Sequence, residues 1–221
     1  PFNPVYGAAP QPIGPFFASN NELTQLGVYA QYRAKIAERL ITVAGFRYSE
    51  SENTTRNPDT GSENIQEDEE ITFNAAIMYL APSGFSPYFS YSESFEPQVG
   101  FDPLTNGETP SPSLGDQFEA GLRWQSPDGD FSASASLFRI DQTNIVNADL
   151  DNPGFSVLVG EQRHDGFEVE FIGRPVDALQ LQAGYTYLDA EITSSNNGDQ
   201  GDVPLNVPEH AAAFFATLDG T

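Results

Sequence analysis

Residues 179–187 alternate strictly between apolar and polar positions. Leu179, Leu181, Ala183, Tyr185 and Tyr187 take one parity, and Gln180, Gln182, Gly184 and Thr186 the other. Period-2 alternation puts successive side chains on opposite faces of a strand, here one apolar and one polar. The apolar face ends in two tyrosines, whose rings suit an apolar layer and whose hydroxyls want water. Similar alternation recurs along the chain and predicts nine strands, at 23–36, 40–49, 71–80, 87–95, 116–125, 131–140, 161–172, 179–191 and 209–218. Ile71, Phe73, Ala75, Ile77 and Tyr79 share a parity in the third, and Phe118, Ala120, Leu122 and Trp124 in the fifth.

The connections alternate too. Short turns fall at 37–39, Pro82-Ser83-Gly84, Pro127-Asp128-Gly129 and 174–178. Between them come long loops at 50–70, 96–113, 141–155 and 194–207, after an opening loop at 1–21. A meander with one plain end and one elaborate end has the pattern of an outer-membrane barrel. Arg47, Glu119, Arg123, Glu168 and Glu170 sit near strand centres on the polar parity. A cation facing lipid at mid-bilayer would cost about 2–4 kcal/mol, so these charges must face a polar lumen or water. The expected class is therefore all-β, an antiparallel up-and-down transmembrane β-barrel segment. Lipid satisfies no backbone hydrogen bonds, and single-chain bacterial barrels close with an even strand number. Nine strands point to an internal piece of a larger barrel. A complete eight- or ten-stranded barrel and a soluble β-sandwich are the alternatives.

Composition narrows the function. No run of about 18 apolar residues exists, which excludes a transmembrane helix. The start, PFNPVYG, has neither the basic region nor the apolar core of a signal peptide. Absence of cysteine excludes a disulfide scaffold and a thiolate metal site. A net charge of −23 argues against nucleic acid as a partner, because little is available to neutralise phosphates. That charge reads as a solvated acidic surface, or more sharply as a rim that binds divalent cations or attracts cationic ligands. Eight acids lie between Glu50 and Glu70 against the single Arg56. No D-x-D-x-D-G loop appears, so a dedicated calcium motif is lacking.

Nothing points to covalent catalysis, and an enzyme is not expected. Glu168 and Glu170 would project the same way about 6–7 Å apart, a spacing a glycosidase could use, but that face is the polar lumen of the barrel. His164 and His210 have no ligand spacing and read as ordinary luminal or loop histidines. Ser132, Ser134 and Ser136 form a polar stripe without a nucleophile elbow or a paired histidine.

Several stretches, in order, carry a resemblance. They include Leu26-Gly27-Val28-Tyr29-Ala30-Gln31, Gly45-Phe46-Arg47-Tyr48, Pro87-Tyr88-Phe89-Ser90-Tyr91-Ser92-Glu93-Ser94-Phe95-Glu96-Pro97 and Asp116-Gln117-Phe118-Glu119-Ala120-Gly121. Gly160-Glu161-Gln162-Arg163, Gly166-Phe167-Glu168-Val169-Glu170, Tyr185-Thr186-Tyr187-Leu188-Asp189-Ala190 and Val207-Pro208-Glu209-His210 follow. The chain resembles the middle and later barrel of TonB-dependent ferric-siderophore receptors, nearest the hydroxamate, ferrichrome-type branch. Departures are His164-Asp165, where the family usually has small or basic residues, and the very acidic stretch after Tyr48.

The resemblance implies a bacterial outer-membrane receptor for ferric siderophores, with a barrel of about 22 strands filled by an N-terminal plug. Residues 1–221 would be part of that single barrel domain, with the plug and the C-terminal strands absent, and not competent alone. Implied partners are the siderophore, outer-membrane lipid and a TonB-type energy-coupling protein acting through the plug, with no nucleic acid. The siderophore brings its own iron ligands, so no cofactor or metal is bound directly. The family binds ligand on aromatics near the extracellular mouth, which makes Tyr6, Phe101 and Phe155 candidates from the long loops. These three could instead pack their loops together or sit at the lipid rim. From other classes, a small structural outer-membrane barrel or adhesin, and a soluble carbohydrate-binding β-sandwich, compete with the receptor.

Overall fold

The computed structural model describes residues 19–100 and 102–218. They form nine strands: β1 (Asn20–Ile36), β2 (Leu40–Arg56), β3 (Glu63–Tyr79), β4 (Phe85–Glu96), β5 (Ser113–Gln125), β6 (Phe131–Ala148), β7 (Ser156–Val176), β8 (Leu179–Ser194) and β9 (His210–Leu218). All nine lie in one antiparallel sheet in sequence order. That is an up-and-down meander, the expected topology.

One face is apolar across the middle of the sheet, and the Arg139–Asp165 ion pair lies on that face at the level of Phe118. The register places Ile77 beside Phe89, Phe89 beside Ala120, Ala120 beside Leu137, Leu137 beside Phe167 and Phe167 beside Tyr187. The opposite face carries Arg47, Glu119, Arg123, Glu168 and Glu170, all five of the strand-centre charges. Ile71–Tyr79 and Leu179–Tyr187 each supply the nine or so residues that a tilted strand needs to cross a hydrocarbon layer.

No second layer among the described residues covers the apolar face. Among the described residues, Ala190 is the one buried core hydrophobic, while Phe73, Phe89, Phe118 and Leu137 are 46–67% exposed. A soluble sandwich would bury one face of each sheet against another, so that reading fails here. Aromatic side chains border the apolar band at both ends. Tyr91 and Phe118 pack at 4.8 Å and Phe167 and Tyr187 at 5.6 Å on one side, Phe85 and Trp124 at 6.3 Å on the other. His210 is not luminal. It lies on the apolar face in the first border, against Tyr187 at 5.3 Å and bonded to the Tyr185 hydroxyl at 2.9 Å. His164 does face inward, between Ile140 and Ala190.

Connections at the two ends differ as expected in kind but not always in length. The plain end has turns at 37–39, 80–84, 126–130 and 177–178. Gly84 is needed in its turn. Its φ is +84°, and a Cβ there would meet the Gln125 carbonyl oxygen. At the elaborate end, 97–112 and 195–209 are long, but 57–62 and 149–155 are short. The expected acidic loop at 50–70 is mostly strand. Residues 50–56 pair with 63–69, so β2 and β3 extend past the apolar band as a hairpin. Residues 141–148 likewise continue β6 rather than forming a loop. Beyond the apolar band both faces of a strand meet polar surroundings, so hydrophobic alternation stops although the ladder continues.

Candidate functional site

The inner face of the sheet and the loops at its elaborate end bring together a continuous set of polar side chains. On the sheet these side chains are linked. Tyr88 donates its hydroxyl to Glu119 Oε1 at 2.5 Å, Gln117 Nε2 donates to Glu119 Oε2 at 3.2 Å, and the Arg123 guanidinium lies 5.0 Å from the Tyr88 ring centre. Glycine makes this possible. Gly121 stands opposite Tyr88, whose ring lies where a Cβ would project. Phe138 covers Gly166 in the same way. Glu168 accepts from Thr186 Oγ1 at 3.5 Å and Glu170 from Ser134 Oγ at 3.4 Å. These hydroxyl partners make Glu168 and Glu170 wall groups, with no acid–base assembly. A groove of about 720 Å³ runs along this wall near the plain end, lined by Met78, Arg123, Trp124 and Glu170 among others.

At the other end the 97–112 loop folds inward over the β2–β3 hairpin. Gln66 faces inward and donates to the Pro110 carbonyl at 3.3 Å, and Pro110 is fully buried. Two more ties hold the loop to β6. Gln98 Nε2 donates to the Asn144 carbonyl at 2.7 Å, and Asn144 Nδ2 donates to the Pro112 carbonyl at 3.1 Å. Asn144 sits in a bulge with φ +58°, which aims it at the loop instead of along the ladder. The Ser156 amide donates to the Pro103 carbonyl at 2.9 Å, joining the loop to the start of β7. Asn147 and Asn196 connect the end of β6 to the 195–209 loop. The rim is thus one hydrogen-bonded assembly. Ser49, Ser51 and Asn53 are buried beneath it, and burial pushes the Asp68 carboxyl up from its ordinary value.

Of the expected ligand contacts, Tyr6 and Phe101 lie outside the described residues. Phe155 closes the β6–β7 turn, its amide donating to the Asn152 carbonyl at 3.1 Å and its carbonyl accepting from Asp149 at 2.9 Å. Its neighbour Ser156 touches the 97–112 loop, so Phe155 stands at the rim, about a third exposed. Expectation from the sequence passed over Ser51, Asn53 and Gln66. Their signal was an alternation of small polar residues with glutamate, Ser49-Glu50-Ser51-Glu52-Asn53, which is period 2 in charge rather than in hydrophobicity.

Asp149 anchors the β6–β7 turn. The Asn152 side chain, with the Asn152 and Asp151 amides, holds its carboxyl below the ordinary range. A depressed folded value means that this stabilisation is present above the unfolded pKa and is lost as pH falls through the folded one. A carboxyl NMR titration should find Asp149 ionising below free aspartate, and Asn152→Ala should move it back up. An unshifted titration would contradict the turn geometry.

Comparison with known proteins matches this architecture. The family model described as "TonB dependent receptor-like, beta-barrel" matches residues 1–221. The ferrichrome outer membrane transporter/phage receptor of Escherichia coli K12 is 34% identical over 209 residues, covering 94% of this chain and 27% of that protein. The ferrioxamine B receptor of Salmonella typhimurium is 32% identical over 218 residues, covering 99% and 30%. Among solved structures, the ferric preacinetobactin receptor BauA of Acinetobacter baumannii superposes with a TM-score of 0.74 at 26% identity, covering 99% of this chain and 33% of that one. The chain spans about a third or less of the length of these relatives. They are receptors and transporters, not enzymes. The chain belongs to the TonB-dependent receptor-like β-barrel family, the outer-membrane barrels of bacteria.

Proposed function

We propose that this chain is part of the wall of an outer-membrane receptor that takes up a ferric siderophore, nearest the hydroxamate type. The observation that carries the reading is a single-layer sheet, apolar outside and polar inside, roofed at one end by an inward-folded loop. The likeness to the ferrichrome and ferrioxamine B receptors over nearly the whole chain supports the ligand class. Residues 1–221 form a contiguous part of one larger barrel, whose remaining strands and plug belong to the rest of the receptor. The apolar face meets outer-membrane lipid. The inner wall, including the groove beside Arg123 and Glu170, packs against the plug, through which a TonB-type protein supplies energy. An acidic chain of this kind has no nucleic-acid partner.

Capture needs no protein ligand to iron, because the siderophore already holds it. It needs aromatic and hydrogen-bonding groups around a pocket. Phe155, with Tyr6 and Phe101, supplies the aromatic part at the mouth. Uptake of labelled iron by cells that carry only the full-length receptor tests this. Ferrichrome or ferrioxamine B should be imported, and import should stop when the coupling protein is deleted. Phe155→Ala should weaken siderophore binding about fivefold to tenfold, on the order of 1 kcal/mol. Absence of hydroxamate uptake by correctly assembled receptor would overturn the ligand class, and unchanged affinity would remove Phe155 from the site.

A further inference from the structure

Beneath the inward-folded loop, four buried polar atoms have no hydrogen-bond partner among the described residues. They are Ser51 Oγ, Asn53 Oδ1, Gln66 Oε1 and Thr109 Oγ1. Ser51 is 2% exposed and Asn53 5%. Such atoms are destabilising unless something satisfies them. They are also together. The register sets Ser51 opposite Asp68 and Asn53 opposite Gln66, and alternate positions share a face, so these four side chains share the inward face on which Gln66 meets the loop. Thr109 precedes Pro110, whose carbonyl Gln66 grips.

Every one of these atoms can accept, and only the two hydroxyls can also donate. The Gln66 amide nitrogen is already committed to Asp68 Oδ2 at 2.8 Å and to the Pro110 carbonyl, which leaves its oxygen free to accept. Asn53 offers an acceptor as well, and both hydroxyl oxygens can accept. Asp68 adds a partly buried carboxylate that pairs with no cation among the described ion pairs. Arg47, an inward-facing cation on the same hairpin, lies over Gly27 of β1 and donates to Ser49. On the outward face of the hairpin Glu50 stands opposite Glu69 and Glu52 opposite Glu67, like charges in direct cross-strand pairs. A single water could satisfy two of these acceptors and none of this charge.

We propose that the inward face of the β2–β3 hairpin binds a hard divalent cation through Asp68 and the side-chain oxygens of Ser51, Asn53, Gln66 and Thr109, fastening the 97–112 loop to the rim. Calcium suits this set better than magnesium. It accepts six to eight oxygens in flexible geometry, mixing carboxylate, amide, hydroxyl and water, whereas magnesium demands a near-ideal octahedron and holds its waters. One carboxylate among neutral ligands gives weak affinity, in the roughly 0.1–1 mM range of extracellular calcium modules. The ligands come from three separate segments, so no contiguous calcium motif marks them in the sequence. The site lies at the rim beneath the 97–112 loop, and the proposal stands whichever siderophore the receptor takes.

The test uses the full-length receptor in detergent, stripped with chelator and kept at constant ionic strength. Calcium chloride should slow protease cleavage within 97–112 at least fivefold, and magnesium should do less. Asp68→Asn should abolish the protection while heat-modifiable migration shows the barrel still folded. The double variant Glu50→Gln/Glu52→Gln, on the other face, should keep it. If Asp68→Asn does not assemble, Asn53→Ala takes its place, with loss of calcium binding by titration calorimetry as the readout. Protection that sodium chloride reproduces, that survives Asp68→Asn, or that vanishes only in the outer-face variant would overturn the proposal. So would no response up to about 10 mM calcium, well above the weak end of such sites.

Discussion

Replacing Leu122 by arginine is expected to destabilise the folded barrel by about 2–4 kcal/mol, whereas a change across the pleat is tolerated. Leu122 lies on the apolar face between Pro87 of β4 and Ala135 of β6, two residues from the Trp124 border and four from Phe118. Its side chain has no polar neighbour on that face to receive a guanidinium, and hydrocarbon offers none. Ser134, on the inner face beside Arg123 and Glu170, sits in polar surroundings at a similar depth. Ser134→Asn should change stability by less than about 0.5 kcal/mol. Unfolding of the full-length receptor in lipid, followed by the change in gel migration, measures both. Equal tolerance of the two substitutions would contradict the assignment of faces.

The second large effect is at Gly121. A Cβ there would lie 2.5 Å from ring carbons of Tyr88 and 2.6 Å from its hydroxyl oxygen. Gly121→Val therefore forces the ring aside, and with it go the hydrogen bond to Glu119 and the stack with Arg123. Overpacking together with a lost bond to a charged acceptor should cost about 2–4 kcal/mol. If the ring is the cause, removing it first should absorb much of the loss. Tyr88→Ala with Gly121→Val should fall short of additivity by about 1 kcal/mol or more in a double-mutant cycle. Simple additivity would show that the glycine serves the backbone alone.

These two positions mark what the sequence reveals and what it conceals. The face of Leu122 is legible because a strand in a slab of hydrocarbon must alternate, and Phe118, Ala120, Leu122 and Trp124 do so without exception. The inward direction of Arg123 follows from the same pleat. Gly121 looks like a weakness in a strand, and only the register reveals that it makes room for Tyr88. The β2–β3 hairpin reads as a loop in the sequence because its residues are polar on both faces. Hydrophobic periodicity is silent where no apolar layer exists, and the reversal itself takes only residues 57–62. The rim was least legible of all. Its ties run from side chains to carbonyls of distant segments, as from Gln98 to Asn144 and from Gln66 to Pro110, and such contacts leave no local pattern. Of the aromatic candidates for ligand contact, Phe155 stands at that rim through a turn that Asp149 and Asn152 organise.

The most direct test of the account is a spin-label scan of residues 117–125 in the full-length receptor in lipid. Residues 1–221 hold no cysteine, so with any cysteine elsewhere in the receptor replaced, labels at Gln117→Cys through Gln125→Cys report one site each. Accessibility to oxygen, which concentrates in hydrocarbon, should peak at Phe118, Ala120, Leu122 and Trp124 and fall at Gln117, Glu119, Gly121, Arg123 and Gln125. A flat profile, or one with the opposite parity, would contradict a barrel wall with lipid on the Leu122 side and a polar lumen on the Arg123 side.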